Sequence, residues 1–269
     1  MPQNSQQKSV KIPLMPARGK WILTAIVVIV IALYALSARV SGSSPVKFFS
    51  GLPYVIQFIS HDLIPPDWGY TSRAIERLIE TWNMALLATT FSALVVLPFS
   101  FLASRNINRN KWLYQITRFF LNIIRTIPDL ILAVLFVALI GLGPLSGICA
   151  LCVFSFGILA KMISETIEAI NPDPLEAIRA TGGNIIQVIW YGAMPQILPL
   201  FTSYTLYVLE LNVRASVVLG FVGAGGVGLI LKQQLSLFNY ANVSTIIIYT
   251  FFAVAIIDLI SNQLRRRLV

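Results

Sequence analysis

From Trp21 to Ala38 the chain carries no charged side chain, and five further apolar stretches of similar length follow before residue 261. A helix needs about 20 such residues to cross a hydrocarbon core about 30 Å thick. Inside lipid every backbone N–H and C=O must find a partner within the protein, so repeated runs of this length leave helices as the spanning element. Composition points the same way. Of 269 residues, 57% are hydrophobic and 12% charged, where a soluble domain carries about a quarter charged; mean hydropathy is +0.77. An all-α polytopic membrane protein with six spans is predicted. The net charge of +9 then reports orientation rather than nucleic-acid binding.

Residues 1–20 are polar and read as a segment of their own. Residues 21–38 form the first span. They read as a retained anchor, because a signal peptide has a shorter apolar core and Ser37-Ala38-Arg39 is a poor cleavage site. Residues 39–80 are the longest non-spanning region. Within it Val46 to Ser60 is broken by Lys47, Gly51, Pro53 and Gln57 and is expected at the membrane interface. His61-Asp62 and Pro65-Pro66-Asp67 mark turns, and Arg73 to Glu80 reads as a separate amphipathic helix. The transmembrane core, 81–264, holds spans at about 81–104, 119–140, 145–163, 188–211 and 243–260, and 265–269 is a tail. Cys149 and Cys152 fall inside a span without further ligands or a redox fold, and read as small packing residues.

With the N-terminus inside, the inner segments hold thirteen basic residues: Lys8, Lys11, Arg18, Lys20, Arg105, Arg109, Lys111, Arg118, Lys161, Arg179 and Arg265 to Arg267. The outer segments hold six: Arg39, Lys47, Arg73, Arg77, Arg214 and Lys232. The positive-inside rule therefore puts both ends in the cytoplasm.

That orientation also puts Pro172 to Pro195 in the cytoplasm. Asp173 is placed to cap a short helix that Pro174 opens, with Glu176 three residues past the cap. Gly182-Gly183 ends it, and Asn184 can cap a second helix. This helical hairpin is either a well-capped connector or a docking element for another protein.

Its residues resemble the EAA loop of ABC-importer permeases: Glu176, Ala177, Gly182 and Pro195 fall in register, while Ile178, Gly192 and Met194 depart from the pattern. The resemblance implies a coupling helix that inserts into a cytoplasmic ATPase subunit. Glu176, Ala177, Ile178, Arg179, Ala180, Gly182 and Pro195 would then form the coupling interface.

Glu210 to Gly228 contains Gly223, Gly225 and Gly228 in a G-x-G-x-x-G spacing. The dinucleotide fingerprint needs a soluble βαβ unit and an acid about twenty residues on. No Asp or Glu lies between Glu210 and Asp258, so that reading fails. Irregular glycine-rich backbone at membrane depth must be buried in protein or line a cavity, which places this stretch at a transport path. Arg214, four residues after Glu210, can pair with it on a helix face.

Tyr207 to Gly228, Phe136 to Gly147, Ser164 to Gly182 and I-P-P-D-W at Ile64 together resemble phosphonate-importer permeases of the ABC class, over about 64–266. Arg125-Thr126-Ile127-Pro128 is similar to an Arg-x-Ile-Pro element of type I importer permeases. The resemblance implies a bacterial inner-membrane subunit that pairs with a second permease, two cytoplasmic ABC ATPases and an extracytoplasmic phosphonate-binding protein. No cofactor is expected in this chain, which lacks a phosphate-cradling loop; ATP and Mg would be held by the ATPase. It is therefore expected not to be an enzyme. Arg125, Glu210, Asn212, Arg214, Gly223, Gly225 and Gly226 are the candidates for the translocation path. Two alternatives stay open: another small anion or amino acid as substrate, and an ion-coupled secondary transporter using Asp129, Glu210 and Asp258.

Overall fold

A computed structural model describes residues 17–42, 45–108 and 110–268, and every regular element among them is helical. The expectations resting on residues 1–16 and on Arg109 lie outside the described residues. The chain divides into two units, residues 1–60 and 61–269. The first holds α1 (Ala17–Val40) and α2 (Pro45–Phe58). α1 is long and apolar enough to cross a membrane.

The second unit holds α3 (Thr71–Leu102), α4 (Lys111–Thr126), α5 (Asp129–Ile140), α6 (Pro144–Ala169), α7 (Asp173–Ala180), α8 (Ile185–Gln187), α9 (Met194–Leu219), α10 (Gly226–Ser236) and α11 (Tyr240–Leu268). α3, α6 and α9 pack on one another, and α11 packs on α9. Small residues on the facing sides of α3 and α6 let these helices approach closely: Ala85, Ala88, Ala150, Ala160 and Ser155 are all fully buried. Counting α1, five helices among the described residues are long and apolar enough to span a membrane, or six if α4 and α5 count as one broken span.

Three boundaries differ from the sequence reading. Arg73 to Glu80 is not a separate helix but the first turns of α3. Its polar groups are used internally: Arg77 Nη1 meets Glu80 Oε2 at 2.5 Å, and Glu80 Oε1 accepts from Gly226 N at 3.0 Å. The stretch 119–140 is not one straight span, because α4 and α5 meet at 87°. Pro128 has no N–H to continue α4, and Asp129 Oδ1 accepts instead from Leu130 N at the start of α5. The span expected to stop near Leu211 continues to Leu219. Pro195 is tolerated in the first turn of α9, after a π-helical segment, Val188–Ala193.

α10 is started by side chains distant in sequence. Its first N–H groups have no acceptor within their own helix. Glu80 takes that of Gly226, and Thr81 Oγ1 takes that of Val227 at 2.8 Å.

Candidate functional site

The hairpin 172–195 is fastened from several sides. Leu175 is 1% exposed and packs in the same apolar cluster as Ile167, Val188 and Ile197. Arg179 Nη2 donates to Asn106 O at 2.8 Å, and Asn106 in turn reaches Ile167 O at the end of α6. Near the same end Glu168 accepts from Arg118 Nη2 (2.8 Å) and from Arg105 N (3.0 Å). What remains exposed on α7 is Asp173, Pro174, Glu176, Ala177 and Ala180, with Ile178 and Arg179 half-buried. That surface is short-chained and rigidly held.

The caps are partly those expected. Asn184 and Gln187 exchange side-chain and backbone hydrogen bonds at 2.9 and 2.8 Å, a reciprocal box at the start of α8. Gly182 takes φ +83°, a region where a β-carbon is strained, and Gly183 N donates to Ile178 O at 2.9 Å. Asp173, however, is not the cap. It already lies in the first turn, and Asn171 Oδ1 accepts its N–H at 3.0 Å.

Gln196, which sequence reasoning passed over, ties the hairpin to α9. Its Oε1 accepts from Asn171 N (3.1 Å), and its Nε2 donates to Asn171 O (3.3 Å) and Gly192 O (2.8 Å). One amide thus holds the entry of α7 and the π-helical segment together. Only its position one residue after Pro195 could have drawn attention to it.

The second group of candidates lies on α9 and α11. Arg214 pairs with Glu210 on its own helix and with Asp258 Oδ2 at 2.7 Å. Glu210 Oε2 also meets Arg265 Nη2 at 2.8 Å. Two acids and two bases therefore form one neutral chain, Asp258–Arg214–Glu210–Arg265. Arg214, expected among the outer charges, thus shares an acid with Arg265, expected inside.

Asn212 lies between helices. It is fully buried, with Nδ2 donating to Thr89 Oγ1 (2.8 Å) and Ser155 Oγ (2.6 Å), and it joins α3, α6 and α9. Gly223, Gly225 and Gly226 are buried too, at φ +91°, +84° and +71°. Gly225 and Gly226 occupy the setting buried in protein, whereas Gly223 also borders a groove beside α10. A β-carbon on Gly225 would stand 2.9 Å from Glu80 Oε1 and Pro144. Arg125 ends α4 beside the 87° break, with an exposed side chain and no ion pair among the described residues. Its backbone lies against α6 at Gly157, where a β-carbon would come within 3.3 Å of Arg125 Cα. Cys149 and Cys152 are free and half-buried, and no group of metal ligands occurs among the described residues.

Residues 96–269 match the family described as binding-protein-dependent transport system inner membrane component. The chain is 33% identical over 249 residues to the phosphite transport system permease protein PtxC of Stutzerimonas stutzeri, covering 92% of this chain and 90% of that one. It is 38% identical over 190 residues to the phosphate-import permease protein PhnE of Mycolicibacterium smegmatis, covering 71% of this chain and 36% of that protein. Among solved structures, an inward-facing MetNI methionine ABC transporter chain is similar at TM-score 0.67 and 25% identity, covering 76% of this chain and 99% of the other.

Proposed function

This chain belongs to the binding-protein-dependent transport system inner membrane components, and from that premise we propose that it is the membrane subunit of an ATP-driven importer of phosphorus oxyanions. Two copies would surround the path, with two cytoplasmic ATPases holding ATP and Mg and a binding protein delivering substrate outside. The observation that carries this reading is the hairpin. Ala177 and Ala180 offer a small-residue face beside Glu176, and Leu175, Arg179 and Gln196 anchor the opposite side to the apolar cluster of α6 and α9 and to the loop after α3. A helix held so firmly can pass a push from a partner into the spans. The names of the relatives support phosphite, phosphate or phosphonate as cargo. The residues expected to meet it change in rank. Arg125 keeps an exposed guanidinium that can grip an oxyanion through paired hydrogen bonds, whereas Arg214 is already neutralised.

The test is reconstitution with the cognate ATPase and binding protein. ATP-dependent uptake of a phosphorus oxyanion is expected. Uptake driven by an ion gradient without ATP would replace this reading with a secondary transporter. Cytoplasmic placement of the hairpin is checked in a background with Cys149 and Cys152 changed to Ala. Thr181→Cys should then react with an impermeant thiol reagent only from the cytoplasmic side, and Asp67→Cys only from outside.

Gln196→Leu supplies a milder test of the linkage. It removes three hydrogen bonds, each contributing about 1 kcal/mol, without touching the exposed face of α7. Substrate carried per ATP hydrolysed should fall about tenfold while the ATPase still co-purifies. Unchanged stoichiometry would mean that α9 does not feel the hairpin through this amide.

A further inference from the structure

α10 packs beside the first turns of α3 and of α11. Val227 and Ile230 pack with Ala74 of α3 and Ile246 of α11, and Leu231 and Tyr249 flank the same cluster. The second half of α10 sits among polar groups: Gln234 meets Tyr70 OH and Asn242 Nδ2 at 3.2 and 2.9 Å. The free face of α10 carries Lys232, Gln233 and Ser236, all exposed. With Leu229 they stand at the i, i+3, i+4, i+7 spacing of one helix face. A groove of about 470 Å³ runs along this face, bounded by Leu142, Val222 and Gly223. Arg73 and Glu76, exposed on the adjoining turn of α3, mark this end of the bundle as polar. Lys232 has no ion pair among the described residues, unlike Arg77, which holds Glu80, and Arg214, which holds Glu210 and Asp258.

We propose that this face of α10 lines the outer part of the translocation path, and that Lys232 there contacts the phosphorus oxyanion on its way in. The inference rests on the importer reading above and adds to it a substrate contact. An ammonium suits a passing tetrahedral anion: it is a point charge with three donors that rotate freely, and it imposes no planar geometry. The glycine turn 223–226 sets the face in place. It reverses the chain after α9 and lets α10 start on Glu80 and Thr81.

The experiment uses the complete complex with ATPase and binding protein, in the Cys149→Ala, Cys152→Ala background. Gln233→Cys and Ser236→Cys should react with an impermeant thiol reagent added outside, and Phe252→Cys should not. Lys232→Cys should lower uptake of phosphite, phosphate and a phosphonate at saturating binding protein at least tenfold. Treatment with a cationic aminoethyl thiosulfonate should restore most of it, and an anionic sulfonatoethyl reagent should not. Three results would overturn the assignment: an unreactive Gln233→Cys, wild-type uptake by Lys232→Cys, or equal rescue by both reagents. A defect that vanishes on raising the binding-protein concentration would instead make Lys232 a docking residue, which also overturns it. If the unmodified complex carries no phosphorus oxyanion, the importer reading fails and the substrate contact falls with it. Reactive Gln233→Cys would then still show the face to be wet.

Discussion

Gly228→Ala should abolish the folded chain in the membrane. A β-carbon at Gly228 would run into the carbonyl oxygen of Val217, and Gly220 crosses the same point with its own missing β-carbon 2.5 Å from Gly228 Cα. Both obstacles are backbone atoms, which no rotamer change can move aside. Overpacking of this kind costs about 3 kcal/mol or more, a large part of a typical stability margin. The measurement is the yield of monodisperse protein after detergent extraction, with Gly51→Ala as control because open space surrounds that site. Normal yield of Gly228→Ala would mean that α9 and α10 do not cross this closely.

Glu210→Ala should be nearly as damaging. Its side chain is 9% exposed and lies between Arg214 and Arg265. Removing it leaves Arg265 without an acid, and breaking a buried pair in this way costs about 3–5 kcal/mol. Glu210→Gln combined with Arg265→Gln removes one acid and one base while keeping the Arg214–Asp258 pair. This double variant should recover most of the thermal stability lost by Glu210→Gln alone. Failure to recover would show that the four groups do not act as pairs. Glu210→Gln with Arg214→Gln is a poorer cycle, because it strands Asp258 and Arg265 together.

Sequence periodicity made the helices legible, because lipid leaves the backbone few alternatives and apolar runs mark them directly. The hairpin was legible too, since Asn184 and Gly182 act on neighbours a few residues away, although the answering Gln187 was not singled out. What was missed depends on distant contacts. The start of α10 is held by Glu80 and Thr81, some 146 residues earlier, and Gln196 acts on Asn171. The surroundings of the path candidates were hidden for a related reason. An intramembrane Asn reads as functional until Thr89 and Ser155 arrive from two other helices to bury it. Arg214 was correctly paired with Glu210 by helix spacing, but only the fold brings Asp258 and Arg265 to the same place.

The 87° corner between α4 and α5 bears on how the chain is built during synthesis. α5 has 12 residues, about 18 Å of helix, too short to be accepted as a span by insertion machinery that weighs each emerging segment. α4 brings Lys111, Arg118 and Arg125 with it, and an Arg near the centre of a segment disfavours its partition into lipid by about 3 kcal/mol. α4 is held back by its charges, and α5, though its exposed Ile131, Val134 and Leu135 suit lipid, by its length. Their shelter is α6, against which both pack and which the ribosome makes after them. This part of the chain therefore enters the bilayer out of turn, waiting at the membrane until its later-born neighbour arrives.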